Sequence, residues 1–394
     1  MKQIAVNLYD YKKKTYNPGV LNIEDEQVLS AEENSLSEGG LYVCPGIIDS
    51  HTHVYPGVTD LGICADDIGI CKGVHLVVDA GSAGAVTLPC FRDVLVPALD
   101  TEVKAFLHIS KAGFVTKQPY IDERFVDVDM AVDAIKEDRE AGRSFLLGIK
   151  VCSSGTIVEN AGILPIQRTF EAAEKAGCKV MAHLVEGPPK NEETIPMMRK
   201  GDIITHFLHG KFNLGPSLKA SKGRPINTAY CSIDNVMWNP DGTPCKVLQD
   251  AIERGVRLDV GHGAASFDVT VARPVIAAGL RDFSISSDLH VRNVKGVVKG
   301  MPETISKFLA LGMTISEVTD SITAIPASNL GLDGWCDNLA DRATIFRIRN
   351  ANADDEPLLD SYRNEIEYDK RFEPVAVIRN GKIKALVDGW ENLK

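Results

Sequence analysis

Long apolar runs are missing from this chain of 394 residues. No stretch reaches the roughly 18 uninterrupted apolar residues that a membrane-spanning helix needs, so no membrane partner is expected. The amino terminus carries Lys2 but no sustained apolar segment and no small-residue cleavage site, which points away from a signal peptide and towards a cytoplasmic location. Paired cysteines are missing too: the nine thiols are odd in number and scattered, without a Cys-x-x-Cys pair. That excludes a disulfide framework or a zinc ribbon and suits reduced thiols. Cys44, Cys152 and Cys245 read as packing residues, Cys152 lying nearest to the chemistry because it follows Lys150 by two. Positive charge is in short supply, with 43 Lys and Arg against 54 Asp and Glu and a formal net charge of -11. Nucleic-acid binding needs a basic surface that releases counterions, so it is not expected. There is also no glycine-rich phosphate loop of the P-loop kind.

What is present is a regular alternation. From about residue 44 to 335, short apolar runs alternate with segments whose apolar positions recur three and four apart. Candidate strands end near Ile48, Val78, His108, Lys150, Ala182, Thr205, Val260 and Ser286, with helix-like segments at 130–141, 166–176, 194–200, 245–253 and 269–277. Eight strand-helix units predict an α/β chain folded as a (β/α)8 barrel, with an open doubly wound sheet as the lesser alternative. The length suits a barrel of roughly 250 residues plus a small accessory unit. Strand-like pieces at 3–8, 19–23 and 27–29 precede it, too few to fold alone, and others follow at 343–347, 375–378 and 382–387. Asn380-Gly381 between the last two is a hairpin signal. The segment 210–243 is too long for a plain connection and is expected to overhang the barrel mouth.

Several strand ends carry side chains that bind cations. In Gly46-Ile47-Ile48-Asp49-Ser50-His51-Thr52-His53, the two histidines are one residue apart and share one face of a strand. Lys150, His183, His206 and Asp288 each sit at or just after a later apolar run. Any one of these alone could be a packed core residue. Together, at the carboxyl ends of parallel strands, they converge on the rim where barrel active sites lie.

The stretch Pro45 to His53 resembles the first-strand signature of the amidohydrolase superfamily, and the later Lys, His, His and Asp fall in that superfamily's order. The segments 73–84 and Thr205-His206-Phe207-Leu208-His209-Gly210-Lys211 are more narrowly similar to its dihydroorotase-like amidohydrolase/deacetylase group. The resemblance implies that residues 1–43 and 340–394 pair as a small β-sandwich beside a barrel of residues 44–339, and the short amino-terminal part predicts a reduced sandwich. It also implies a homo-oligomer and a small-molecule substrate.

The implied centre is binuclear. One divalent ion, zinc by preference, would take His51, His53 and Asp288, and a second His183 and His206. An ammonium at Lys150 could not sit against two dications; burial would depress its pKa, and the neutral amine can take up carbon dioxide as a carbamate, the bridge that binuclear members use on their fourth strand. Asp288 would carry the proton from attacking water to leaving group. His209, His262 and His290 near the rim are candidates for substrate contact, His209 also being the rival of His206 for metal. His108 is a weaker candidate and His75 a structural one, while Lys211 and Arg224 offer basic reach from the long segment.

The function expected is hydrolysis of an acyl amide or ester of a small, carboxylate-bearing molecule. Hydrolysis of cyclic amides, as by dihydroorotases and hydantoinases, is the alternative within the same chemistry. A mononuclear deaminase is a second alternative, because His183-Leu184-Val185-Glu186 is similar to the His-x-x-Glu arrangement of amidohydrolase deaminases. A metal-free scaffold would normally show broken ligand positions, and here every position is filled.

Overall fold

The computed structural model describes residues 1–35, 39–210 and 235–393. Seven strands form one parallel sheet: β5 (Ile47–Thr52), β6 (Val74–Gly84), β7 (Glu102–His108), β8 (Leu146–Cys152), β9 (Lys179–His183), β10 (Ile203–Thr205) and β11 (Arg257–Asp259). Each pairs with the next in sequence. Connections of helical length make that order possible, because parallel neighbours need a crossover rather than a hairpin. Helices Val128–Glu140 and Leu164–Ala176 supply two of them.

The ring closes through the extended segment 284–289. Ser284 N–H donates to Leu258 O and Val260 N–H to Ser284 O, both at 2.9 Å. On the other side, Asp288 N–H donates to His51 O at 2.7 Å and His53 N–H to Leu289 O at 2.9 Å. This is the expected eighth strand of a TIM-type barrel, broken where Asp288 takes a left-handed conformation, φ 49°. β6 is buried along its whole length, as befits a strand covered on both faces.

The helix expected at 194–200 is instead a turn of helix at Asn191–Thr194 followed by a 3-10 turn at Ile195–Met197. Pro196 lies within that 3-10 turn and cannot donate the amide a continuous helix requires.

The two chain ends build a second, seven-stranded closed sheet that forms the small β-sandwich. It contains β1 (Lys2–Asp10), β2 (Thr15–Glu24), β3 (Gln27–Glu33), β4 (Leu41–Pro45), β12 (Arg342–Asn350), β15 (Lys370–Arg379) and β16 (Lys382–Ala385). The two-residue strands β13 (Leu358–Leu359) and β14 (Glu365–Ile366) form a separate ladder. The sandwich is not reduced: the amino-terminal strands run longer than their apolar pieces, and four of the seven come from that end. Arg379 pairs with Lys382 across Asn380-Gly381, whose φ angles of 52° and 73° are those of a type I′ hairpin turn.

Barrel and sandwich are joined by buried contacts. Trp335 Nε1–H donates to Gly46 O at 2.7 Å, with the Arg342 guanidinium 4.0 Å from its ring. Thr344 Oγ1 donates to Gly73 O and His75 Nε2 to Ile378 O, which gives His75 a structural place. Gly46 precedes the strand that leads into the histidine pair, so the sandwich braces that strand's root through Arg342 on Trp335. Replacing Trp335, 7% exposed, by alanine should cost about 3 kcal/mol or more, as large-to-small core changes do. Denaturant unfolding measures this, and a loss below about 1 kcal/mol would show that the joint does not depend on Trp335.

Candidate metal centre

The carboxyl ends of the strands bring six of the expected residues against one another. His51 Nε2 lies 3.6 Å and His53 Nε2 3.4 Å from Asp288 Oδ1. Donor atoms of these three residues all fall within 4.8 Å of one another, a spacing that one cation can gather. Lys150 Nζ is 3.3 Å from His51 Nε2. The His206 ring is 5.0 Å from that of His51 and 4.3 Å from that of His183, centre to centre.

Strand register explains the gathering. Lys150 pairs with His108 on one side, and two residues on, Cys152 pairs with His183, which in turn pairs with Thr205 next to His206. His206 and Asp288 hold φ angles of 73° and 49°. Non-glycine residues take that region at a cost of roughly 1–3 kcal/mol and keep it where surroundings over-determine them. Both lie where a strand must turn its last side chain inward.

A second layer sets the imidazoles. Asp259, fully buried, accepts from Ser50 Oγ (2.7 Å), Thr205 Oγ1 (2.8 Å), Ser284 Oγ (2.7 Å) and Ser286 Oγ (2.8 Å). Burial would raise its pKa, but hydrogen bonding and charge from His51 and these hydroxyls bring it to about 2. Thr205 gives its one hydrogen to Asp259, so it accepts from His51 Nδ1 at 2.8 Å. The Nε2 lone pair of His51 therefore faces the centre. His206 Nδ1 donates to Gly261 O at 2.6 Å, which exposes its Nε2 lone pair likewise, and His53 Nδ1 meets Ser82 Oγ at 3.0 Å. Orienting partners of this kind are what metal-binding histidines use. His183 meets Ser154 Oγ through Nε2 at 2.7 Å.

Charges inside the ring follow. Burial, with Lys150 nearby, holds His51 below its ordinary value, and burial with His183 and His51 does so for His206. Burial lowers Lys150 as well. Burial favours the neutral acid at Asp288, yet the histidines His51 and His53 hold it well below the carboxylate range. Asp49, buried beneath the rim, is pushed up to about 7 by desolvation; its carboxylate contacts Ser287 Oγ and accepts from Ser287 N–H at 3.0 Å.

The rim histidines separate. His290 is near His53, rings 6.4 Å apart, and its Nδ1 accepts from Arg292 N–H at 3.1 Å. His108 stacks on Tyr120 at 5.5 Å and is pulled to about 3 by burial and by Lys150. His262 engages both ring nitrogens inside the protein, Nδ1 with Gly263 O at 2.9 Å and Nε2 with Lys307 Nζ at 2.8 Å, so contact with a substrate would require releasing one. His209 is buried in the turn after His206, its N–H donating to His206 O. It is His206 that is packed against His51 and His183. Residues 211–234, with Lys211 and Arg224, lie outside the described residues. The part of the long segment that is described includes Trp238, whose Nε1 donates to Phe207 O.

Sequence reading missed Asp259, Ser82, Thr205, Ser154 and Lys307. Only Asp259 left a trace, as a carboxylate inside the apolar run Leu258-Asp259-Val260.

No family model matches the chain. Among curated proteins it is 31% identical over 306 residues to a deacetylase of Agrobacterium fabrum, 77% of this chain and 69% of that one. It is 30% identical over 359 residues to a deacetylase of Enterococcus faecalis, 90% and 89% of the two chains. Among solved structures, an adenine deaminase superposes with a TM-score of 0.78 at 26% identity, covering 97% of this chain and 99% of that one. A dihydroorotase does so with a TM-score of 0.78 at 26% identity, covering 98% and 99%. The fold and the histidine-carboxylate cluster define a metal-dependent hydrolase of the TIM-barrel type, and the chain belongs to the amidohydrolase superfamily, in its dihydroorotase-like deacetylase group.

Gly81 shows how tightly the centre is built. It has φ 92°, and a Cβ there would lie 2.7 Å from Lys150 Cγ. Gly81→Ala should lower stability by about 1–3 kcal/mol through overpacking and reduce bound metal with it. Thermal melting and metal analysis check this, and an unchanged variant would show that the strand yields without moving Lys150.

Proposed function

We propose that the chain is a binuclear hydrolase in which carboxylated Lys150 bridges two divalent ions, most naturally zinc, and that it removes an acyl group from the nitrogen or oxygen of a small carboxylate-bearing molecule. The observation that carries this is Lys150 itself: 1% exposed, with an imidazole nitrogen rather than an acid as its hydrogen-bond contact. A buried amine so placed is held towards its neutral form, the form that takes up carbon dioxide. As a carbamate it would supply anionic oxygen ligands, with His51, His53, His183, His206 and Asp288 as the residues that would hold the ions. The donor set is the nitrogen and oxygen mixture that zinc accepts. Bound ions would acidify a water to near neutrality and polarise an acyl carbonyl.

The chain's own groups divide the remaining work. Asp288 is ionised at neutral pH and can take a proton, then deliver it to the leaving amine or alcohol. His290, pulled to about 4 by burial, is neutral at pH 7. With Nδ1 accepting from Arg292, its hydrogen is on Nε2, where it can donate to a substrate carboxylate or carbonyl. The deacetylase names of the relatives support acyl substrates over cyclic ones. Glu186, which a one-metal deaminase would use, has Thr156 Oγ1 on its carboxylate at 2.5 Å.

Protein expressed with added zinc should hold close to two ions per chain, and Lys150→Ala should lose metal and turnover together. A fully active Lys150→Ala protein would contradict the bridge. Asp288→Asn should keep most of its metal while turnover falls by about 100-fold, as loss of a general base commonly does; near-normal turnover would move proton transfer elsewhere. A hydrolysis screen of N-acetyl and N-formyl amino acids of both chiralities, acetylated hydroxy acids, dihydroorotate and hydantoins tests the substrate class. Turnover confined to cyclic amides, or ammonia released from an aminated ring, would overturn the deacylase reading.

A further inference from the structure

Lys307, on the helix Met301–Ala310, is 1% exposed. Its Nζ donates to His262 Nε2 at 2.8 Å and to Val297 O at 2.7 Å, so neither hydrogen-bond partner is an acid. Burying an amine is costly, and although Glu303 and Asp360 bear on it with opposite charge, desolvation outweighs them and brings it down to about 7. In either protonation state it has an N–H to give. Because Lys307 gives a hydrogen to Nε2, the hydrogen of the neutral His262 ring belongs on Nδ1, where it donates to Gly263 O at 2.9 Å. The ring is fully buried and stacked on Phe267, centres 4.7 Å apart.

The turn so held touches the chemistry from behind. Gly261 and Gly263 have φ angles of 48° and 58°. Gly261 O accepts from His206 Nδ1, and a Cβ at Gly263 would fall 2.4 Å from Asp288 Oδ2. Ser361 Oγ donates to Gly263 O at 3.0 Å from the other side. One face of Asp288 is therefore a backbone turn whose outer edge is fixed by a lysine.

We propose that Lys307 and His262 form a positioning pair: Lys307 fixes the tautomer and place of His262, His262 fixes Gly263, and Gly263 sets the Asp288 carboxylate for proton transfer, with neither side chain touching substrate. This rests on the reading of Asp288 as proton carrier. It gives Lys307, which is remote in sequence from every ligand position, a role in turnover.

The test measures zinc content, melting temperature, kcat and KM for hydrolysis of p-nitrophenyl acetate in the zinc-loaded wild type, Lys307→Met, His262→Asn, Asp288→Asn and the Lys307→Met/Asp288→Asn double variant. Lys307→Met should keep its zinc and KM while kcat falls by about 10-fold or more, the range for removing an orienting partner. On the Asp288→Asn background the same change should do nothing further, because coupled residues are not additive. Losses that multiply, or a fully active Lys307→Met beside a crippled Asp288→Asn, would overturn the pair and leave the Asp288 reading standing. Full turnover in Asp288→Asn would overturn both. If Lys307→Met fails to fold, His262→Asn carries the comparison, since it removes the Lys307 acceptor while keeping a donor for Gly263 O.

Discussion

A buried carboxylate that four hydroxyls and a histidine must satisfy governs this barrel. Asp259 has no exposure, and its donors come from β5, β10 and the closing segment, so ionising it requires those strands to meet in one register. An unpaired charge there would cost several kcal/mol, so barrel closure and Asp259 solvation are one event. The same contacts pass through Thr205 to His51 and set the tautomer that points Nε2 inward. Fold stability and the orientation of the histidine-carboxylate face thus draw on one network.

Around that network the rim concentrates unfavourable features. His206 and Asp288 occupy left-handed backbone, Lys150 is buried beside an imidazole, and the His206 ring lies 5.0 Å from that of His51 and 4.3 Å from that of His183. Dications together with a carbamate would relieve much of this, because imidazole lone pairs facing one another become ligands. The sandwich supports the arrangement through Arg342, which lies over Trp335, the donor to Gly46 O at the root of β5, and the helix carrying Lys307 supports it through His262.

Much of the architecture is legible in the sequence because strand-helix alternation writes itself as periodicity. All eight strand positions, the five helix regions apart from the stretch interrupted by Pro196, and the Asn380-Gly381 turn follow from local pattern. The cluster of His51, His53, Lys150, His183, His206 and Asp288 is legible for a related reason: each stands at the end of an apolar run, and parallel strands bring such ends together. The supporting layer is not. Ser82, Thr205 and Ser154 are ordinary polar residues whose meaning comes from contacts across the barrel, and Lys307 looks like a helix-surface cation until the fold buries it. The length of β1 to β3 was hidden because their outward positions are polar and interrupt the apolar pieces.

The central claim is that the buried Lys150 amine exists as a carbamate between two metal ions. Carbon-13 NMR of the zinc-loaded protein prepared in labelled bicarbonate reads it directly. One carbamate resonance that disappears in Lys150→Ala and on metal removal is the result this account requires; a zinc-replete, hydrolytically active protein with no such resonance would contradict it.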